Sequence, residues 1–282
     1  RVSRPRGLQG APADRQSRIR GVCLEVRALM RPWFLIVAAV TSALALPARA
    51  DRLDDDLNAL WESARDQRGS PARLTRWEQP VRWRITGTDS ARHRGTIAQA
   101  LAAAAQASGL DIAEAAQGAA APNFEVRVVA DRELLDNFGC ETQSSHSGWA
   151  LAEVRVTMRE SQVWECAYHE VMHAMGVPGH PAGKTVLSYF PWRNDRLLDL
   201  DKLLLATWYD RELSRGDTLF DVLRVGGKRA VAQPDIGLSA EAAEQRRRDH
   251  FARRVAEMER YAAGEGDVPM IIKRSGLANP GH

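Results

Sequence analysis

The sequence predicts an α+β domain with a helical C-terminal part. Two observations point there. Period-two runs around Val81–Ile85, Phe124–Val129 and Trp149–Met158 mark strands, with helical periodicity or loops between them. Beyond Arg196 the pattern holds only helices and loops, so strands and helices are partly segregated along the chain.

Taken in order, Asp51–Arg68 carries Leu53, Leu57, Leu60 and Ala64 at helical spacing and stops at Gly69-Ser70-Pro71. Val81, Trp83 and Ile85 then alternate with Arg82, Arg84 and Thr86, as in a strand with one buried face. Ala91–Ser108, with Ile97, Leu101 and Ala105 on one side, reads as a helix that Gly109 terminates. The strand Phe124–Val129 follows a small-residue loop, Ala115–Pro122. In Trp149–Met158, Ala150, Ala152, Val154, Val156 and Met158 alternate with Leu151, Glu153, Arg155 and Thr157. This strand leads into a helix over Ser161–Met175, which Gly176 closes as a left-handed stop. A loop to Arg196, a helix through Leu203–Trp208, a loop holding Gly216, Gly226 and Gly227, and a charged helix over Ser239–Ala263 complete the pattern. The run Arg246-Arg247-Arg248 is read as a solvated helix face. Residues 51–230 are read as the main domain and 231–282 as a helical extension.

The first fifty residues differ from the rest. From Met30 the chain reads Met-Arg-Pro, an apolar run Trp33–Leu46, then Pro47-Ala48-Arg49-Ala50, the three regions of a secretory signal peptide with cleavage after Ala50. The run is shorter than the roughly 20 apolar residues that span a bilayer, so no stable membrane insertion is expected after cleavage. Residues 1–29 are read as upstream translation ahead of an initiator Met30. Nine of the 39 basic and two of the 36 acidic residues fall in this region, leaving 30 against 34 and a formal net charge of −4. That balance excludes the concentrated positive face that nucleic-acid binding requires. With Cys23 removed, Cys140 and Cys166 remain in an exported, periplasmic or secreted chain, where a disulfide is expected, with two free thiols and thiolate metal ligation as the alternatives.

The chemistry lies in the helical stretch Cys166-Ala-Tyr-His169-Glu170-Val-Met-His173-Ala-Met-Gly176, followed by His180. Two histidines four apart in a helix differ by about 40° in direction, so His169 and His173 project from one face and can bind one ion. Glu170 between them is placed to act as general base toward a water that zinc brings to a pKa of roughly 7. A catalytic zinc takes three protein ligands and keeps one position open. His180 is the nearest residue able to supply the third, with Asp195, Asp199 and His146 as the other candidates.

His169-Glu170-Val-Met-His173, with a glycine three residues on, resembles the metzincin class of zinc peptidases. The resemblance spans about residues 75–215 and implies a metzincin-like mixed, twisted sheet packed on an active-site helix, with a helical C-terminal part. In those proteins a third ligand follows, then a tight turn with Met beneath the metal. Here that turn is Thr185-Val186-Leu187-Ser188-Tyr189, with Leu187 in the Met position and an apolar side chain of similar volume. The family's third histidine falls one residue earlier than His180, at Gly179. Tyr189 matches a tyrosine that some members use as an extra ligand or transition-state donor. Leu197–Tyr209 looks like the helix behind the site. By the same resemblance, Trp149–Met158 is the edge strand on which extended peptide pairs. More closely, the chain is similar to a group of exported bacterial proteins carrying an uncharacterised domain.

The expected function is zinc-dependent hydrolysis of a peptide or protein substrate, with His169, His173 and His180 on the metal, Glu170 as base and Tyr189 at the oxyanion. The alternative is a catalytically weak or inactive metal-containing envelope protein that binds or assembles partners. Hydrolysis of another amide, such as a cell-wall peptide, uses the same residues.

Overall fold

A computed structural model describes residues 52–65, 72–116, 118, 121–133, 139–188 and 195–265. The expected upstream segment, the expected signal peptide and Tyr189 lie outside the described residues. Helix α1 covers residues 52–63, followed by β1 (Val81–Gly87), α2 (Ser90–Ser108), β2 (Ile112–Glu114), β3 (Phe124–Val129), β4 (Cys140–Ser147) and β5 (Ala150–Arg159). A single 3₁₀ turn, Glu160–Gln162, leads into α3 (Val163–Ala174), then α4 (Asp199–Trp208), α5 (Leu219–Val231) and α6 (Ala240–Ala262). The fold is of the α+β class.

Alternation decides the sheet. Its strand order is β2-β1-β3-β5-β4, parallel except for β4, which runs antiparallel to β5. Register aligns Trp83 with Phe124 and Phe124 with Val154, and likewise Ile85, Val126 and Val156, then Val128 and Met158, so the apolar residues form rows across one face. Most of these side chains are buried in the core with Ile97, Leu101 and Ala104 of α2 and Val163, Ala167 and Val171 of α3. The intervening residues make a charged outer face. There Glu125 receives the Thr86 hydroxyl at 3.0 Å and lies 3.4 Å from both Arg84 and Arg155.

The strand expected at the sheet edge is instead interior: β5 lies between β3 and β4, and β4 is the edge. The cause is compositional. The sequence of β4, Cys-Glu-Thr-Gln-Ser-Ser-His-Ser, has no apolar alternation, because much of it is exposed. The three-residue β2 was likewise unmarked.

Helix α5 occupies what reads as a glycine loop. A Cβ on Gly226 would stand 2.5 Å from Leu60 and 2.9 Å from Thr207, so the glycine lets α5 approach α1 and α4. Thr218 caps α5 and exchanges hydrogen bonds with Asp221. Ser239 caps α6 through the Ala242 amide. Of the arginine run on α6, Arg246 clasps Asp54 of α1 with two hydrogen bonds of 2.9 and 2.5 Å, and Arg247 and Arg248 bond within their own helix.

Candidate metal centre

Residues three and four apart set α3 against the core: Val163, Cys166, Ala167, Glu170, Val171 and Ala174 are all buried. His169 and His173 lie at the margin of that face, one turn apart and partly exposed. Their Nε2 atoms are 3.1 Å from each other.

The end of α3 is held by aromatic side chains with polar tips. Trp77 Nε1–H donates to the Ala174 carbonyl at 2.9 Å, Tyr209 O–H to Met175 at 2.9 Å, and Trp208 Nε1–H to Gly176 at 3.0 Å. Gly176 has φ of 92°, and a Cβ there would meet the Thr75 carbonyl oxygen at 2.1 Å, so only glycine allows this reversal. The returning chain passes close to α1. Gly179 N–H donates to the Ser63 carbonyl, and a Cβ at 179 would stand 2.2 Å from the Glu62 carbonyl oxygen. No side chain fits at 179. Its neighbour His180 turns inward instead, with Nε2 at 3.1 Å from His173 Nε2.

Backbone carbonyls fix two of the rings. His169 Nδ1 lies 2.8 Å from the Val186 oxygen and His173 Nδ1 2.8 Å from the Val177 oxygen. A carbonyl only accepts, so each Nδ1 carries the proton and each Nε2 presents a lone pair to the common centre. Lone pairs facing across 3.1 Å repel unless a cation lies between them. Three nitrogens about 2.05 Å from a tetrahedral zinc are separated by about 3.3 Å, close to the spacing found here. The three ligand atoms all lie within 4.8 Å of one another. The donor set therefore fits a zinc-like ion.

Electrostatics keep His173 and His180 neutral. Burial pushes His173 well below its ordinary value, reinforced by the nearby His169 and His180. His180 is pushed down to about 4, again by burial first and then by His169. Glu170, 4% exposed, moves the other way. Burial raises its pKa, against the lowering effects of His169 and the Thr142 hydrogen bond. A buried carboxylate of raised basicity is suited to take a proton near neutral pH.

The turn beneath the rings is tied down by Asp201 of α4. Its fully buried carboxylate accepts from Thr185 Oγ1 at 2.5 Å, Val186 N–H at 3.1 Å and Leu198 N–H at 2.8 Å. Val186 is the residue whose carbonyl holds His169. Leu187, in the position expected to support the site, is fully buried.

Among the described residues, His169, His173 and His180 come together and the other candidate ligands do not. His146 sits exposed on β4 with Nε2 2.8 Å from Ser144 Oγ, and Asp199 lies at the start of α4 near Arg52 and Lys202. The expected disulfide joins Cys140 to Cys166. Two groups at the site carried no sequence signal. Thr142 on β4 donates to Glu170 Oε2 at 2.6 Å, and Asp201 lies in an ordinary leucine-rich helix.

A family described as "Protein of unknown function (DUF2927)" matches residues 58–147, from within α1 to the end of β4, and thus stops short of the histidines. No curated protein matches the chain.

Proposed function

We propose that this chain is an exported zinc-dependent hydrolase, a metalloendopeptidase that cleaves peptide bonds. The observation that carries the proposal is the convergence of three Nε2 atoms, two of them fixed by Nδ1–H bonds to carbonyls, beside a buried glutamate. His169, His173 and His180 would hold the zinc, which when bound would supply Lewis acidity toward water and the scissile carbonyl. Glu170 removes the proton from the attacking water and returns it to the departing amine. Tyr189, carried over from the sequence, donates to the oxyanion.

Substrate placement follows from β4 rather than from β5. Among the described residues β4 pairs only with β5, so its other backbone edge can receive an extended peptide. Thr142 on that strand reaches Glu170, which brings the edge to the site. Export is supported by the Met30–Ala50 pattern and by the disulfide. Among the described residues no helix is long and apolar enough to cross a membrane.

Glu170→Gln separates chemistry from metal binding. Zinc content should match that of the parent, while cleavage of an unfolded protein substrate disappears. Parent-like cleavage by this variant would remove Glu170 from the mechanism.

A further inference from the structure

Two connections join β4 to α3, and their spacing is regular. Cys140 is bonded to Cys166, and Thr142 donates to Glu170. On the strand the two positions are two apart and face the same side. On the helix they are four apart and lie on one face, one turn above the other. Register places Cys140 opposite Met158 and Thr142 opposite Val156, both on the buried, helix-facing side of the sheet. The disulfide and the hydrogen bond are thus successive rungs of one ladder.

We infer that Thr142 is the positioning residue for Glu170 and that the Cys140–Cys166 disulfide sets the register in which it acts. The inference rests on the reading of Glu170 as general base. The Thr142 hydroxyl lies 2.6 Å from Glu170 Oε2 and 3.3 Å from the Glu170 backbone oxygen, so one side chain addresses both the carboxylate and the helix that carries it. Its single proton goes to the nearer oxygen, Oε2. Oε1 is then the oxygen that exchanges protons with water and the leaving amine. Without this contact the carboxyl rotates about its last torsion, which is broad and roughly two-fold.

An edge strand needs such a fastening. Beyond β5, β4 has no strand neighbour among the described residues, and its far half is exposed with a register shift between Ser145 and His146. The bond to Cys166 anchors the strand two residues before Thr142. The same edge is where the substrate is proposed to pair, so substrate binding and orientation of the base share one element.

The test uses Thr142→Val, which keeps the shape and removes the hydroxyl, and Thr142→Ser, which keeps the hydroxyl. In the zinc-loaded chain, Thr142→Val should lower kcat about tenfold with KM and zinc content unchanged, and Thr142→Ser should restore most of the loss. In a Cys140→Ser/Cys166→Ser background the Thr142→Val effect should shrink to less than threefold, because the register that gives the hydroxyl its role is gone. A readout without turnover is the ¹³C resonance of the Glu170 carboxyl in metal-free protein, assigned by its loss in Glu170→Gln. It should move in Thr142→Val and in the double serine variant, and hold in Thr142→Ser. A resonance unmoved by Thr142→Val, or equal kcat losses in the Val and Ser variants, overturns the inference. If the resonance shifts as expected but the parent chain cleaves nothing, Thr142 still positions Glu170 and the hydrolase reading is what fails.

Discussion

Replacing Gly179 with alanine adds one carbon where the chain has no room for it. The new Cβ would stand 2.2 Å from the Glu62 carbonyl oxygen, 2.8 Å from Ser63 Cα and 3.0 Å from the Arg65 carbonyl oxygen, all backbone atoms at the end of α1. Ordinary contact requires a retreat of about 1 Å from the nearest of these, and no side-chain rotation can supply it. The segment that moves carries His180, whose Nε2 is 3.1 Å from that of His173. Zinc–nitrogen bonds tolerate only about 0.2 Å, so a shift of this size removes the third ligand. Zinc affinity should fall at least about a hundredfold, close to the loss caused by His180→Ala, whereas Gly→Ala in a permissive loop is neutral or stabilising. Competition with a chromophoric chelator measures the affinity, and far-UV circular dichroism establishes that the variant is folded. A folded Gly179→Ala protein with parent-like zinc affinity would refute the role assigned to the close approach of 179 to α1.

Three further outcomes follow from the same contacts. Asp201→Asn leaves one of three buried donors facing an amide N–H₂ whichever way the side chain turns, so it should cost about 1–3 kcal/mol in thermal unfolding and weaken zinc binding about tenfold through Val186 and His169. Unchanged zinc affinity would break that link. Loss of the 26-residue disulfide loop in Cys140→Ser/Cys166→Ser should lower stability by about 3.5 kcal/mol in denaturant titration, and a change below 1 kcal/mol would contradict it. Asp56, 6% exposed, has its pKa raised to about 6 by burial, against the lowering effects of Arg52 and Gln233. The folded state therefore holds this proton more tightly than the unfolded chain. Its contribution is full below the unfolded value near 4 and is lost as pH rises through 6, by up to about 3 kcal/mol. Asp56→Asn should flatten stability between pH 4 and 7.5, and an unaltered slope would exclude Asp56 as its source.

Legibility followed burial. Phe124–Val129 matches its expected bounds, its apolar positions alternating against a charged face, and α3 lies within two residues of the expected Ser161–Met175 at either end, with six positions at core spacing. β4 lacks any such mark, since its polar residues face solvent, and the expectation that β5 forms the edge rests on the metzincin resemblance alone. α5 was hidden by Gly226 and Gly227, which lower helix propensity for the sake of close packing against α1 and against Arg247. At the site, His169, Glu170 and His173 were visible from spacing alone. That Gly179 and His180 exchange the expected places became intelligible only from the proximity of α1. Thr142 and Asp201 stayed silent because a hydroxyl or carboxylate becomes a positioning group only through what folding sets beside it.

Metal analysis of the purified parent chain beside His169→Ala asks whether the three imidazoles hold an ion. About one zinc per parent chain is expected, with X-ray absorption showing nitrogen ligands near 2.0 Å, and a folded His169→Ala protein should have lost the metal. A folded parent chain that takes up no zinc at any supplied concentration, or a His169→Ala variant that holds it equally well, would overturn the three-histidine site.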